Sequence, residues 1–251
     1  MPSAPVAVIG SYVSPYVRKV LVCLGLKGIA YEIDPIIPFF GSDAFTRISP
    51  LRRVPVLIDD RVTLCDSSVI CEYLEERHPS PALLPAEPAQ RAWARWLEEF
   101  ADTRIGEVFI WRLFNERVIR PHVWGEATDD AVVRQTLEVE IPALLDYLEG
   151  ELPRAGGYLF GEIGLADIAL AAFFRNAAFA RFSIDAARWP ATAAFVARAL
   201  EHPAFLALRP FEELQLRTPI ARQRDALAAA GARLTAQSFG TPAPRRGVLR
   251  S

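Results

Sequence analysis

The chain lacks the marks of a disulfide-stapled, metal-binding or nucleic-acid-binding protein. Its 251 residues include three cysteines, Cys23, Cys65 and Cys71. The count is odd, no CxxC spacing occurs, and each cysteine lies in apolar sequence. A disulfide framework is therefore excluded, and inert buried thiols in a reducing, cytoplasmic setting are expected. The three histidines, His78, His122 and His202, stand far apart without metal-ligand spacing, so surface or capping roles are expected and no metal. An excess of one charge is missing too: the net charge is -2 and the pI about 6.0, which gives no field for nucleic acid or an anionic membrane. No apolar run approaches the roughly 20 residues that cross a bilayer. The run Val6 to Gly10 is short and has no basic segment before it, so no targeting segment is expected. Phosphate loops, dinucleotide fingerprints and internal repeats are also absent.

What is present suits packed cores, with 51% hydrophobic and 10% aromatic residues in a length fit for one large domain or two small ones. Ala7 to Gly10 reads as a strand. Ser14-Pro15 opens a helix carrying Val17, Val20, Leu21, Leu24 and Leu26, and Ala30 to Ile37 reads as a second strand. Pro38 to Pro50 is loop with at most one helical turn. In Val54-Pro55-Val56-Leu57 a proline stands where a strand needs an amide donor, which implies an edge, a bulge or a special turn, often with a cis bond. A short apolar stretch, Val62 to Cys65, follows, and Asp66-Ser67-Ser68 opens the helical pattern Val69 to Glu76. The order β, α, β, loop, β, β, α is that of a thioredoxin-like layer. A backbone edge beside a helix N-terminus suits an extended, peptide-like ligand with a carboxylate.

Residues 80–88 hold three prolines and mark a linker. Helical patterns follow: Ala89 to Arg117, then a helix capped by Thr128 that reaches about Leu152 and is kinked at Pro142, then Leu165 to Phe179 and Pro190 to Glu201, with a short helix after Pro203. The expected organisation is thus a thioredoxin-like domain over 1–79, the linker 80–88, an all-helical domain over 89–218, and a partly disordered extension over 219–251.

Ser14-Pro15-Tyr16-Val17-Arg18-Lys19-Val20, Val54-Pro55-Val56-Leu57, Asp66-Ser67-Ser68 and Gly161-Glu162-Ile163-Gly164-Leu165-Ala166-Asp167 occur in the order found in cytosolic glutathione transferases. Over about residues 5–215 the chain resembles that family, in a serine-type branch (theta-, zeta- or beta-like, bacterial). The resemblance implies glutathione as cosubstrate, no metal, and a homodimer. It implies that Ser14 donates a hydrogen bond to the glutathione sulfur and keeps it as thiolate. Lowering a thiol from a pKa of about 8.5 to about 6.5 takes about 2.7 kcal/mol. A hydrogen bond to a charged acceptor supplies about 1.5–3 kcal/mol and a helix N-terminus about 0.3–1 kcal/mol. Tyr12 is the rival donor, because other branches use a tyrosine in this turn. No cysteine stands at Ser14, which argues against thiol-transfer chemistry.

By the same resemblance Pro55 is a cis-proline that turns the Val54 backbone outward to pair with the cysteinyl unit. Asp66 and Ser67 meet the γ-glutamyl group, and Arg53, or Arg52 in its place, meets the glycine carboxylate. Arg18 either steadies the site or faces solvent. Asp167 is the buried helix-capping aspartate of the second domain, although glycine replaces the usual Ser or Thr at position 164. An electrophile pocket is expected between the halves, with Phe109, Trp111, Phe114 and Tyr12 as candidate lining and one or two of the aromatics exposed. Conjugation of glutathione to a hydrophobic electrophile is the leading expectation. Glutathione-dependent isomerisation, dehalogenation or peroxide reduction and a non-catalytic binding module are the alternatives. The double-serine-cysteine signature of maleylacetoacetate isomerases is missing around Ser11 to Pro15.

Overall fold

A computed structural model describes residues 6–154 and 157–246. The chain divides into two compact units, Met1–Pro81 with Ala204–Ser251, and Ala82–Pro203. In the first, β1 (Val6–Ile9), α1 (Pro15–Leu26), β2 (Tyr31–Asp34), α2 (Asp43–Ile48), β3 (Val56–Ile58), β4 (Thr63–Cys65) and α3 (Ser67–Arg77) follow the expected order except for α2, a helix capped by Ser42 and preceded by a 3-10 turn at Pro38–Phe40 where a loop with at most one helical turn is expected. The sheet runs β2-β1-β3-β4, with β1 parallel to β2 and β3 antiparallel to both β1 and β4. Ile9, Ile36, Phe45 and Val56 form a buried cluster, against which Val54, Ile58 and Phe239 pack. This is a thioredoxin-like layer.

Pro55 lies just before β3 and not within it, and the Val54–Pro55 bond is cis. Because β3 is an interior strand, the proline blunts no sheet edge. It belongs to the turn entering the sheet, where its missing amide costs no ladder hydrogen bond.

The segment after Pro203 departs from expectation. Helices α9 (Pro203–Leu206), α10 (Arg209–Arg217) and α11 (Gln223–Ala229) lead into a tail laid along the free edge of β2. Leu234 bridges Ile33 in parallel, and Gly240 bridges Gly41 in antiparallel fashion. Asp34 is fully buried and accepts from Arg224 at 2.9 Å and from the Phe239 amide at 2.6 Å. Burial raises its pKa, and these two contacts oppose the rise. The helical domain therefore does not extend to 218, nor is the extension disordered over its described length: 204–246 folds with the first unit. Backbone pairing and a buried carboxylate replace the apolar periodicity that the sequence lacks there. Residues 247–251, part of the extension expected to be frayed, lie outside the described residues.

The second unit is helical. Its first helix, α4 (Pro88–Phe100), continues as a wide helix of i→i+5 bonds over Ala101–Trp124. Asp129, and not Thr128, caps α5 (Asp130–Gln135), because the Thr128 hydroxyl donates to the Glu116 carbonyl at 2.9 Å. At Pro142 the chain widens over Thr136–Glu140 before α6 (Ile141–Glu151), which accommodates the absent amide without breaking the helix. α7 (Leu165–Phe179) and α8 (Pro190–Leu200) complete the unit. The Asp167 carboxylate accepts from the amides of Leu159 and Gly164, both at 2.9 Å. A Cβ at position 164 would stand 2.8 Å from the Leu83 carbonyl oxygen, which is why glycine occupies the cap.

Candidate active site

Strand register brings the first unit's motifs to one end of the sheet. Ile9 pairs with Val56, and Val56 with Cys65. The end of β1, the entry to β3 and the exit from β4 therefore adjoin, carrying the Ser11–Ser14 turn, Val54-Pro55 and Asp66-Ser67. Gly10, at φ +146°, makes the approach possible: a Cβ there would lie 2.5 Å from Val17 Cγ2 and 2.9 Å from Val54 Cβ.

Ser14 is the N-cap of α1, with Pro15 at the first helical position. Its hydroxyl accepts from the Val17 amide at a long 3.4 Å, which leaves the group half-buried and weakly engaged at the positive end of the helix. Tyr12 is buried. Desolvation, with a hydrogen bond to Tyr31 adding to it, holds its phenol well above the usual range. Its ring stacks on Phe211 at 5.1 Å. The phenol is thus engaged with Tyr31 inside the unit.

Neither the amide nor the carbonyl of Val54 takes a hydrogen bond among the described residues. The Asp66 carboxylate, at φ 77°, accepts from the Ser68 amide at 2.9 Å and the Val69 amide at 3.2 Å and so caps α3. Ser67 is the first residue of that helix and is buried, and its hydroxyl has no bonded partner among the described residues. Lys19, itself buried on α1, donates to the Ser68 hydroxyl at 3.2 Å and ties the two helices together. Sequence reasoning passed over Lys19, whose only signal is a lysine on the inward face of an apolar helix.

The two arginines before Val54 separate cleanly. Arg52, at φ 52°, is buried and donates to Thr46 Oγ1 at 2.6 Å and the Gly41 carbonyl at 2.8 Å. Arg53 is exposed, with its backbone pinned on both sides by the Ser49 hydroxyl. Arg18 does not face solvent: it is fully buried and paired with Glu212. Of the aromatics expected along an electrophile pocket, Phe109 is fully buried against Phe174 and Phe182, Phe114 is buried, and Trp111 is 40% exposed. Cys23 and Cys71 meet at 3.6 Å between α1 and α3. Among the described residues no group of three His, Cys, Asp or Glu is arranged to hold a metal ion, and no helix is long and apolar enough to cross a membrane.

The chain has known relatives. Residues 8–82 match the N-terminal domain model of glutathione S-transferases, and residues 110–203 match the C-terminal domain model. It is 34% identical over 200 residues to the maleylacetoacetate isomerase of Rattus norvegicus, an alignment covering 77% of this chain and 84% of that one. A crystal structure of a glutathione S-transferase from Rhodospirillum rubrum F11 superposes with a TM-score of 0.74 at 26% identity, covering 88% of this chain and 99% of that one. The structure of a bacterial maleyl pyruvate isomerase, described as a zeta-class glutathione S-transferase, gives 0.67 at 27% identity over 82% and 97% of the two chains. With an all-helical second unit joined to a thioredoxin-like first unit, and both family models matched in order, the chain belongs to the glutathione S-transferase family.

Proposed function

We propose that the protein conjugates glutathione to a hydrophobic electrophile, with Ser14 as the thiolate donor. The observation that carries this reading is the unpaired Val54 backbone beside the weakly engaged Ser14 hydroxyl at the start of α1. An extended cysteinyl unit pairing with Val54 sets its sulfur near that hydroxyl. The Ser67 hydroxyl and the N-terminus of α3 take the γ-glutamyl carboxylate, and the capping Asp66 carboxylate remains available to the adjacent ammonium. Exposed Arg53 meets the glycine carboxylate, and Arg52, committed to Gly41 and Thr46, does not. Catalysis then rests on proximity and thiolate stabilisation, which together need no metal.

Calorimetric titration with glutathione, followed by assays on halogenated, epoxide and peroxide substrates, tests the reading. Micromolar to low-millimolar binding with turnover is expected, and no binding at millimolar glutathione overturns it. A second reading, glutathione-dependent isomerisation, draws on the similarity to the rat isomerase. There the thiolate adds to an activated double bond and leaves again, so glutathione is regenerated and not consumed. A maleyl substrate converted without loss of free thiol would favour it. Family membership also supports a homodimer, which light scattering on the purified protein tests.

A further inference from the structure

The turn that carries Ser14 is held from the far end of the chain. Within Ser11–Ser14, the Val13 amide donates to Ser11 Oγ at 3.1 Å and the Ser14 amide to the Ser11 carbonyl at 3.0 Å. The Tyr12 amide instead donates to Gln215 Oε1 at 2.9 Å, 203 residues away. Which face of that side-chain amide accepts is fixed independently. Gln215 Nε2 donates to the Pro35 carbonyl at 2.7 Å and to Gln223 Oε1 at 3.1 Å, so the oxygen must point at Tyr12. Gln223 in turn donates to the Gln215 carbonyl at 2.8 Å.

The turn's carbonyls face a second residue of the same network. Arg18 Nη2 lies 3.5 Å from both the Tyr12 and the Val13 oxygen, and its Nε donates to the Glu212 carboxylate, with both charged side chains almost entirely buried. A buried guanidinium without its carboxylate is costly, so the pair holds one geometry. Glu212 and Gln215 are one helical turn apart on α10 and act on opposite polar groups of one short loop.

We infer that α10 positions Ser14: Gln215 and Glu212, the latter through Arg18, are positioning residues that fix the Ser11–Ser14 turn and so aim the catalytic hydroxyl. The inference rests on Ser14 being the thiolate donor. A hydrogen bond is lost over about 1 Å of displacement, so a loosened turn weakens thiolate stabilisation before it weakens glutathione binding, which depends on Val54 and Ser67.

The test uses the full chain with Gln215→Met, and Glu212→Gln as a second variant that keeps the shape and an acceptor for Arg18 if the first does not fold. Hydrogen–deuterium exchange without glutathione reads the turn itself. At least about tenfold faster exchange across Tyr12–Tyr16, with α7 unchanged, is expected, and unchanged exchange overturns the inference whatever the activity. The pH profile of conjugation to an activated chloroarene reads the consequence. The acidic limb should move to higher pH in the direction of Ser14→Ala but less far, kcat should fall by about threefold to tenfold at neutral pH, and KM for glutathione should hold. A faster-exchanging turn with an unmoved profile, while Ser14→Ala shifts it, overturns the positioning role and leaves Ser14 in place. An unmoved profile in Ser14→Ala itself removes Ser14 as donor, and the inference with it.

Discussion

The two sides of the candidate glutathione site are held in opposite ways. The Val54-Pro55 and Asp66-Ser67 side is built from neighbours within about sixty residues: the β1, β3 and β4 ladders, the Asp66 cap, Arg52 on Gly41, and the close approach of Val54 to Gly10. The Ser14 side depends on Gln215 and Glu212, about two hundred residues on. The α2 side is clasped by the tail as well: the Phe239 carbonyl accepts from the Ser42 amide at 2.8 Å, and the Thr241 amide donates to the Phe40 carbonyl at 2.7 Å. Both walls thus carry local motifs, but the support of the Ser14 turn comes from a distant segment, and that support leaves no readable signature beside the motif.

Breaking the locally built wall at its tightest point should have the largest effect. Gly10→Val places a side chain where a Cβ already collides with Val17 and Val54, at a backbone angle that L-residues rarely adopt. A loss of about 3 kcal/mol or more is expected in denaturant unfolding, together with loss of glutathione binding. Truncation after Thr218 tests the other wall. It removes the ladder on β2, the Arg224 and Phe239 partners of buried Asp34, and Gln223 behind Gln215. A loss of about 2–4 kcal/mol is expected in the same measurement, because a buried carboxylate is left unpaired. Equal stability of the truncated chain would mean that the clasp is ornamental.

Ser14→Ala should lower kcat/KM by about tenfold to a hundredfold at neutral pH and recover at alkaline pH, as expected for the loss of one charge-assisted hydrogen bond. Steady-state rates across pH check this. The second unit offers a purely local reference in Asp167, which accepts from amides three and eight residues away. Burial raises its carboxyl from 3.8 to about 6, against the pull of those hydrogen bonds. A proton retained by the folded state makes this contribution fully present below about pH 3.8 and lost as pH rises through about 6, with a span of about 3 kcal/mol. Asp167→Asn should flatten the stability slope between pH 4 and 6, measured by urea titration at each pH. Arg53→Ala should do least, a rise in KM for glutathione of about threefold to fivefold with kcat unchanged, since its side chain is exposed.

Much of this was legible in the chain. Helix α7 falls where its apolar period and the Gly164–Asp167 cap put it, and Asp66 opens α3 as its type and position imply. Pro55 marked a special turn, although not that β3 would be interior. Less was legible where one sequence feature fits two structures. Adjacent Arg52 and Arg53 are indistinguishable until one folds inward onto Gly41. Phe109, in an aromatic stripe that is core more often than ligand surface, keeps both readings until Phe174 and Phe182 close over it. Thr128 and Asp129 are both good caps until Glu116 claims the threonine.

By itself the sequence determined most of the order of elements, the motif turns and the family resemblance, because these follow from backbone preference and spacing within a few tens of residues. The tertiary structure alone decided that residues 204–246 belong to the first unit, that Tyr12 turns inward to Tyr31, and that Arg18 meets Glu212. The physical reason is the same in each case. Buried polar groups must find partners, and when the partner lies on another element, whether nineteen residues away as Tyr31 is from Tyr12 or 194 away as Glu212 is from Arg18, no local period, cap or turn records the match.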